Sequence, residues 1–396
     1  MEEFNVRKIF ITSYPYVYER YFRIFDYFSK KEELFFILPR TWEAKGGKIK
    51  VKVPIRQDIK IVGTKTFFSH SHYPVIKGLL KGWMPGAKNI IHRDAKAGDI
   101  LYTSIEPNLL TTYFNSRLAR KLDMKHVFFT WQNVPYENRL KGVKLKVTEN
   151  IIRWTMANSA GAICGNHKAA EILKKYITRP DFKILVAPIS GVDTERFKPG
   201  IQSDFRQKYE LGGKTILTFA GVFDNRKGIK ALLAAFFKVF KELPDLHLVM
   251  IGTGLLEGYI NDFIVQNKMQ GTITVIPWLP NEELPGVFAS SDIFIHPSEP
   301  YGGWEEQFGY SMAEASASGL PVIATTTGSI VEIVLNEITG ILVEPQSADQ
   351  LGDAIIRLVN NVELRTNMGL AGRKHMKENY SHRAIAVKFY NLFTVL

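Results

Sequence analysis

The chain has 396 residues, of which 45% are apolar and 23% charged, with 30 Gly, 18 Pro and one Cys. That apolar share builds real cores, which excludes a disordered, collagenous or low-complexity chain, and the length suits two to three domains. The net charge of +12 is uneven: residues 1–190 hold 33 Lys and Arg against 16 Asp and Glu, or +17, leaving −5 for residues 191–396, so the first half is expected to meet an anionic partner.

A single cysteine, Cys164, forms neither an internal disulfide nor a thiolate metal cluster, which fits a reducing compartment. The opening MEEFNVRKIF lacks the apolar region and small-residue cleavage site of a signal peptide. No apolar run approaches the roughly 18 residues that span a bilayer. The expected location is cytoplasmic, with peripheral contact at the inner face of the cell membrane. No nucleic-acid motif accompanies the basic charge, and the second half is acidic, so no nucleic-acid partner is expected.

In chain order, apolar runs of strand length fall at Lys8 to Thr12, Leu34 to Leu38, Ile100 to Ser104, His126 to Trp131 and Ala160 to Cys164, with helical segments between several of them. Lys48, Lys50 and Lys52 alternate with Ile49, Val51 and Val53, the pattern of a half-exposed strand. Two stretches have the composition of interfacial segments: Val75 to Pro85, which mixes Leu79, Leu80, Trp83 and Met84 with Lys77 and Lys81, and the aromatic Tyr14 to Phe28 with Arg20 and Arg23. Both also read as helices packed in a domain.

The second half alternates more clearly. Strand-like runs recur at Ile216 to Val222, Leu246 to Ile251, Ile273 to Ile276, Asp292 to His296, Pro321 to Ala324 and Ile341 to Val343. Between the first two, Ile229, Leu232, Leu233, Phe236, Phe237 and Phe240 recur at steps of three and four, one apolar helix face. Repeated strand and helix alternation implies parallel sheets covered on both faces. The expected architecture is α/β, with two doubly wound Rossmann-like domains facing each other across a ligand-holding cleft. They comprise residues 1–187 and 188–379, with a C-terminal helix at about 380–396 packing back on the first. Pro188, Gly191, Pro199 and Gly200 punctuate the join.

The chemistry concentrates in Glu306-Gln-Phe-Gly-Tyr-Ser-Met-Ala-Glu314. Phe308-Gly309 precedes a helix, so Glu306 sits in a loop and Glu314 on the helix. A helix N-terminus behind a glycine offers N–H groups and a positive dipole end to phosphate, and flanking carboxylates accept hydrogen bonds from sugar hydroxyls. The arrangement suits a nucleotide sugar. His70-Ser-His72 lacks a third metal ligand at recognisable spacing, His92, His167 and His296 read as structural, and the chain contains no Asp-x-Asp pair for a metal-bridged diphosphate. No metal or cofactor is expected, so protein cations must do a metal's work.

Two glutamates eight apart around Phe-Gly, followed by Gly319-Leu-Pro-Val-Ile-Ala-Thr325, resemble the E-x7-E signature of family 4 (group 1) retaining glycosyltransferases, which have the GT-B fold. Pro188-Ile-Ser-Gly-Val-Asp-Thr-Glu-Arg-Phe-Lys-Pro199 is similar to that family's interdomain segment. Phe219-Ala-Gly-Val-Phe-Asp-Asn-Arg-Lys-Gly228 resembles its phosphate loop, and Leu248-Val-Met-Ile-Gly-Thr-Gly254 its strand ending in a glycine turn.

The resemblance implies that Glu306 takes the transferred sugar's hydroxyls and Glu314 the ribose. Gly309 and Tyr310 would give backbone donors to the diphosphate. Lys227, helped by Arg226, would be the cation opposite the leaving group, where negative charge develops. Gly221 belongs to the same loop, and Pro277, Trp278 and Leu279 are candidates for the base pocket. Where the family has an arginine after the loop glycine, this chain has Val222; where many members have T-x-H-D, it has Thr130-Trp131-Gln132-Asn133; and Ser13-Tyr14-Pro15-Tyr16 replaces a Gly-Gly loop. Glu106 and Gln132 are the acceptor-side candidates.

The implied activity is metal-independent transfer of a sugar, with retention by front-face attack, from a UDP-, GDP- or ADP-sugar to a glycan or lipid-linked glycan. The alternatives are a catalytically weak nucleotide-sugar-binding scaffold or another GT-B enzyme such as a disaccharide synthase. Flotation with anionic liposomes at low salt is the expected outcome for the basic half; its absence would count against a membrane-held acceptor.

Overall fold

A computed structural model describes residues 7–28, 33–44, 47–50, 58–68, 78–277 and 279–396. The chain divides into two compact units, one of residues up to Gly191 with His382–Leu396, the other Val192–Ser381. Each is built on a parallel sheet, as runs of apolar β-branched and aromatic residues buried on both faces require.

In the first unit, seven parallel strands take the order β5-β2-β1-β6-β7-β8-β9. They are β1 Ile9–Thr12, β2 Leu34–Pro39, β5 Lys60–Thr64, β6 Ile100–Thr103, β7 Lys125–Thr130, β8 Gly161–Cys164 and β9 Lys183–Val186. A hairpin of β3 Thr41–Ala44 and β4 Gly47–Lys50 stands apart, with Trp42 opposite Ile49. The alternating lysine pattern therefore belongs to the hairpin as far as Lys50, and Lys52 lies outside the described residues. The sequence pattern misses β5 and β9 because both are short edge strands, only partly buried, without the continuous apolar run that marks an inner strand.

The aromatic stretch from Tyr14 to Phe28 packs inward. Tyr16, Phe22, Phe25 and Phe28 are buried; Phe25 meets Phe36 edge-on at 4.8 Å, and Phe28 meets Tyr390 of the C-terminal helix His382–Thr394 at 5.7 Å. These rings are core, so the interfacial reading of this stretch gives way to packing. Residues 75–77 of the other stretch, and His70-Ser-His72, lie outside the described residues.

The second unit has six parallel strands in the order β12-β11-β10-β13-β14-β15, with β10 Thr215–Ala220, β11 Leu246–Ile251, β12 Ile273–Ile276, β13 Ile293–His296, β14 Val322–Thr325 and β15 Gly340–Val343. Strand order reverses between β10 and β13, and in such sheets ligands bind beyond the carboxyl ends at that reversal. β10 stops at Ala220, two residues before the expected end, because Gly221 turns the chain and leaves Val222 exposed. Arg373 ties the 192–199 segment into the unit by donating to the carbonyls of Phe197 (2.9 Å), Thr194 (3.3 Å) and Ala317.

The helix Ile229–Phe240 buries Ile229, Leu232, Leu233, Phe236 and Val239. Phe236 is wholly buried in the largest core cluster, and Phe236→Ala is expected to destabilise this unit by about 3–5 kcal/mol, read as a shift of its thermal or urea transition, with the unfolding of the first unit unchanged.

Candidate nucleotide-sugar site

The candidate residues of the second unit converge on the strand reversal. β10 is followed by Gly221, whose N–H donates to the Ile251 carbonyl at 2.9 Å. The chain then forms a short 3-10 turn, Asn225–Lys227, capped by the Asp224 carboxylate, before Gly228 starts the next helix in a left-handed conformation. A Cβ on Gly228 would lie 1.8 Å from the Pro297 carbonyl oxygen. Only glycine lets the Lys227 turn approach the end of β13 so closely.

β13 ends at His296, and Pro297, Ser298 and a loop lead to Glu306. The Glu306 carboxylate is the centre of a polar knot. Its Oε2 forms an ion pair with the Lys227 ammonium, accepts a hydrogen bond from His296 Nε2 at 2.9 Å and another from Ser298 Oγ at 3.1 Å. Its backbone is clamped too, since the Glu306 carbonyl accepts from Ser329 N at 3.0 Å and from Ser329 Oγ at 3.2 Å. Since an ionised carboxylate only accepts, His296 must carry its proton on Nε2.

Burial alone would push the Glu306 carboxyl up, but the hydrogen bond from His296 and the nearby Lys227 ammonium outweigh it and hold the group well below the usual carboxylate range. Burial pushes His296 down, the Glu306 hydrogen bond opposes this, and Lys227 adds to the lowering. The site therefore holds an ionised glutamate, a cationic lysine and a neutral imidazole.

Gly309, with φ +78°, opens the helix Tyr310–Ala317, which no side chain caps. A Cβ there would meet His296 Nε2 at 3.2 Å and Glu306 Cγ at 3.7 Å, so the glycine brings the helix N-terminus against the carboxylate. Tyr310 is the first residue of that helix, and Glu314 is half-buried on it.

The other candidates separate. Arg226 donates through Nε (3.1 Å) and Nη2 (2.6 Å) to Asp224 and lies 5.8 Å above the Trp304 ring, so its guanidinium braces the loop while Lys227 takes Glu306. Pro277 and Leu279 follow β12, next to the glycine turn in which Gly252 N donates to the Ile276 carbonyl at 3.0 Å; Trp278 lies outside the described residues. In the first unit the Glu106 carboxylate accepts from Thr130 Oγ1 at 2.6 Å and Trp131 N at 2.8 Å. Burial pushes its carboxyl up, against those hydrogen bonds and the charge of Lys81. Gln132 donates its side-chain amide to the Val134 carbonyl.

His296 and Ser298 are the residues that sequence reasoning passed over. The signal was positional: polar residues at and just beyond the carboxyl end of β13, at the reversal of strand order. Among the described residues no group of three His, Cys, Asp or Glu could hold a metal ion, and no helix is long and apolar enough to cross a membrane.

The second unit is similar in sequence to known proteins. The family described as glycosyl transferases group 1 matches residues 201–375. Among curated relatives, a GDP-mannose-dependent alpha-(1-6)-phosphatidylinositol monomannoside mannosyltransferase of Mycobacterium tuberculosis is 29% identical over 202 residues, 50% of this chain and 52% of that one. A D-inositol 3-phosphate glycosyltransferase of an Arthrobacter species is 31% identical over 215 residues, 52% of this chain and 49% of that one. The chain thus spans about half the length of the curated relatives it matches. The Anabaena HepE protein, solved in complex with UDP, aligns over 98% of this chain and 100% of its own with a TM-score of 0.73 at 14% identity, a likeness of fold: the two-unit GT-B architecture.

Replacing Lys227 with Met removes the ammonium that, together with the His296 hydrogen bond, keeps Glu306 ionised. The natural chain is expected to show no Glu306 titration between pH 4 and 7 by carbon NMR of labelled glutamate, whereas Lys227→Met brings a titration up into or above the ordinary glutamate range of about 4.3. In the natural chain the depressed Glu306 contributes stability that is full above that unfolded value and is lost as pH falls towards the folded one.

Proposed function

From the match of residues 201–375 to the family described as glycosyl transferases group 1, we propose that this protein transfers a sugar, with retention and without a metal ion, from a nucleoside-diphosphate sugar to a glycan or lipid-linked glycan. The observation that carries the reading is the Glu306–Lys227–His296 knot beside a glycine-opened helix N-terminus at the strand reversal.

Each part has a physical task. The diphosphate lies against the first turn of the helix Tyr310–Ala317, where Gly309 and Tyr310 offer backbone N–H groups and the dipole favours negative charge. Gly221 leaves room for phosphate beside Lys227. Glu314 accepts from the ribose hydroxyls, and the base rests against the backbone of Pro277 and Leu279. Lys227 shares its ammonium between Glu306 and the diphosphate, and as the bond from the sugar to phosphate breaks, it faces the charge that develops on the leaving oxygen. Glu306 stays ionised through His296 and Ser298 and accepts from the sugar's hydroxyls.

No side chain of the knot is placed as a nucleophile. The acceptor oxygen enters on the face the diphosphate leaves, and its proton passes to the departing phosphate. Cations of the protein supply what a divalent metal would. The acceptor belongs to the first unit, with Glu106 and Gln132 at the carboxyl ends of its strands. The relatives' substrates by their names, a phosphatidylinositol monomannoside and an inositol 3-phosphate, are both anionic and the first is a lipid, which supports an anionic acceptor and, from the first, a lipid-linked one.

The test is nucleoside diphosphate release from a panel of UDP-, GDP- and ADP-sugars with EDTA present. One donor is expected to turn over, with Glu306→Gln and Lys227→Ala each about 100- to 1,000-fold slower. Loss of turnover in EDTA, restored by a divalent ion, would contradict the metal-free reading. Binding without release across donors and acceptors would identify a nucleotide-sugar-binding scaffold instead.

A further inference from the structure

The first unit carries a groove of about 700 Å³ between the helices Pro85–Asp94 and Leu110–Lys121. Its walls are apolar: Trp83, Met84, Pro85, Phe114 and Leu118. On the second helix Phe114, Arg117, Leu118 and Lys121 recur at steps of three and four, so one stripe faces the groove. Phe114 is 43% exposed there, and Trp154, its ring tilted against Tyr113 at 5.6 Å, is 50% exposed on the neighbouring helix.

The rim has one sign of charge. Lys88, Arg117, Arg120 and Lys121 line the groove, and among the described residues no acidic one does. None of the four enters an ion pair among the described residues; Arg120 donates instead to Asn158 Oδ1 at 3.2 Å, and Arg117 lies 5.8 Å above Tyr113. Met84 and Asn115 are shared with a smaller cavity against Thr12, Ser13, Tyr14 and Thr111, so the groove runs up to the carboxyl ends of β1 and β6, where Ser104 Oγ donates to Ser13 Oγ at 2.6 Å.

An apolar trough of drug-ligand size ringed by four uncompensated cations is complementary to one class of molecule, an amphiphile with a hydrocarbon chain and an anionic head. We propose that this groove takes an acyl chain of an anionic membrane phospholipid, with the phosphate on the Lys88, Arg117, Arg120 and Lys121 rim, and so fixes the first unit to the bilayer. The inference rests on the proposed function in that it places a lipid-linked acceptor's surface beside the acceptor unit. The chain carbons displace water from Trp83, Met84, Phe114 and Leu118, while the long cationic side chains reach the headgroup plane with their stems against the apolar wall.

The experiment is equilibrium binding to vesicles of phosphatidylglycerol brominated on its acyl chains, read by tryptophan quenching, alongside phosphatidylcholine vesicles. Quenching by the anionic vesicles is expected, reduced in Trp83→Phe, with binding about 30-fold weaker in the double variant Arg117→Gln, Lys121→Gln. The thermal transition of the first unit should be unchanged in that variant, which shows that unit folded, and UDP and GDP binding by the second unit should be unchanged too. Binding with quenching unaltered in Trp83→Phe would mean surface contact without an inserted chain, and overturns the proposal. So would equal binding to phosphatidylcholine, equal competition by short-chain water-soluble phosphatidylglycerol, or a dimer in sedimentation that Phe114→Asp dissociates, which would put a second copy of the chain in the groove. Vesicle binding without any nucleotide binding defeats the glycosyltransferase reading alone; nucleotide binding without vesicle binding defeats the groove alone.

Discussion

Glu306 is a carboxylate taken largely out of water and kept charged. Desolvation opposes that charge, and the structure meets it with a lysine from the β10 loop, a histidine from the end of β13 and a serine two residues further on. Removing one partner of such a buried pair leaves an uncompensated charge, the costly outcome in low-dielectric surroundings. The geometry around it follows from this need: Gly228 lets the lysine turn pack on Pro297, Gly309 brings a helix end to the carboxylate, and the Gly328-Ser329 turn, where a Cβ on Gly328 would lie 2.1 Å from the Glu306 carbonyl oxygen, holds its backbone.

The first unit uses the same sheet plan with different polar chemistry. Its strand ends hold Glu106 against Thr130 and Trp131, with burial favouring the neutral carboxyl. His126, between Ser159 and Thr103, is lowered by burial to about 3 and stays uncharged. Cys164 is buried and its thiol is pushed up to about 12, so it is no nucleophile. The strand ends of this unit are polar and largely neutral, while its cations lie on the outside, as at the rim of the groove. That division suits the acceptor and membrane roles proposed for this unit.

Much of this was legible in the sequence because the second unit repeats strong signals: continuous apolar runs for inner strands, one apolar face from Ile229 to Phe240, and glycines where turns must be tight. Glu306 and Lys227, 79 residues apart, could be paired only through the family resemblance, and the fold brings them into contact. Edge strands β5 and β9 were invisible because their half-exposed residues carry no continuous apolar run. Arg226 reads in the sequence as a helper of Lys227, yet Asp224 two residues earlier captures its guanidinium. His296 looked like a core histidine; only the fold shows that the residue ending β13 reaches a glutamate ten positions on. The groove in the first unit was foreshadowed by Trp83 and Met84 but not by Phe114 and Lys121, which come from a different helix.

The central claim, that the second unit holds a nucleoside diphosphate at the Glu306 knot, is tested most directly by amide hydrogen exchange with and without UDP or GDP. The account predicts slowed exchange confined to the 221–228 loop and to the 309–314 start of the helix after Glu306, with the loss of that protection in Lys227→Ala. Protection elsewhere in the chain, with these two segments unchanged, would contradict it.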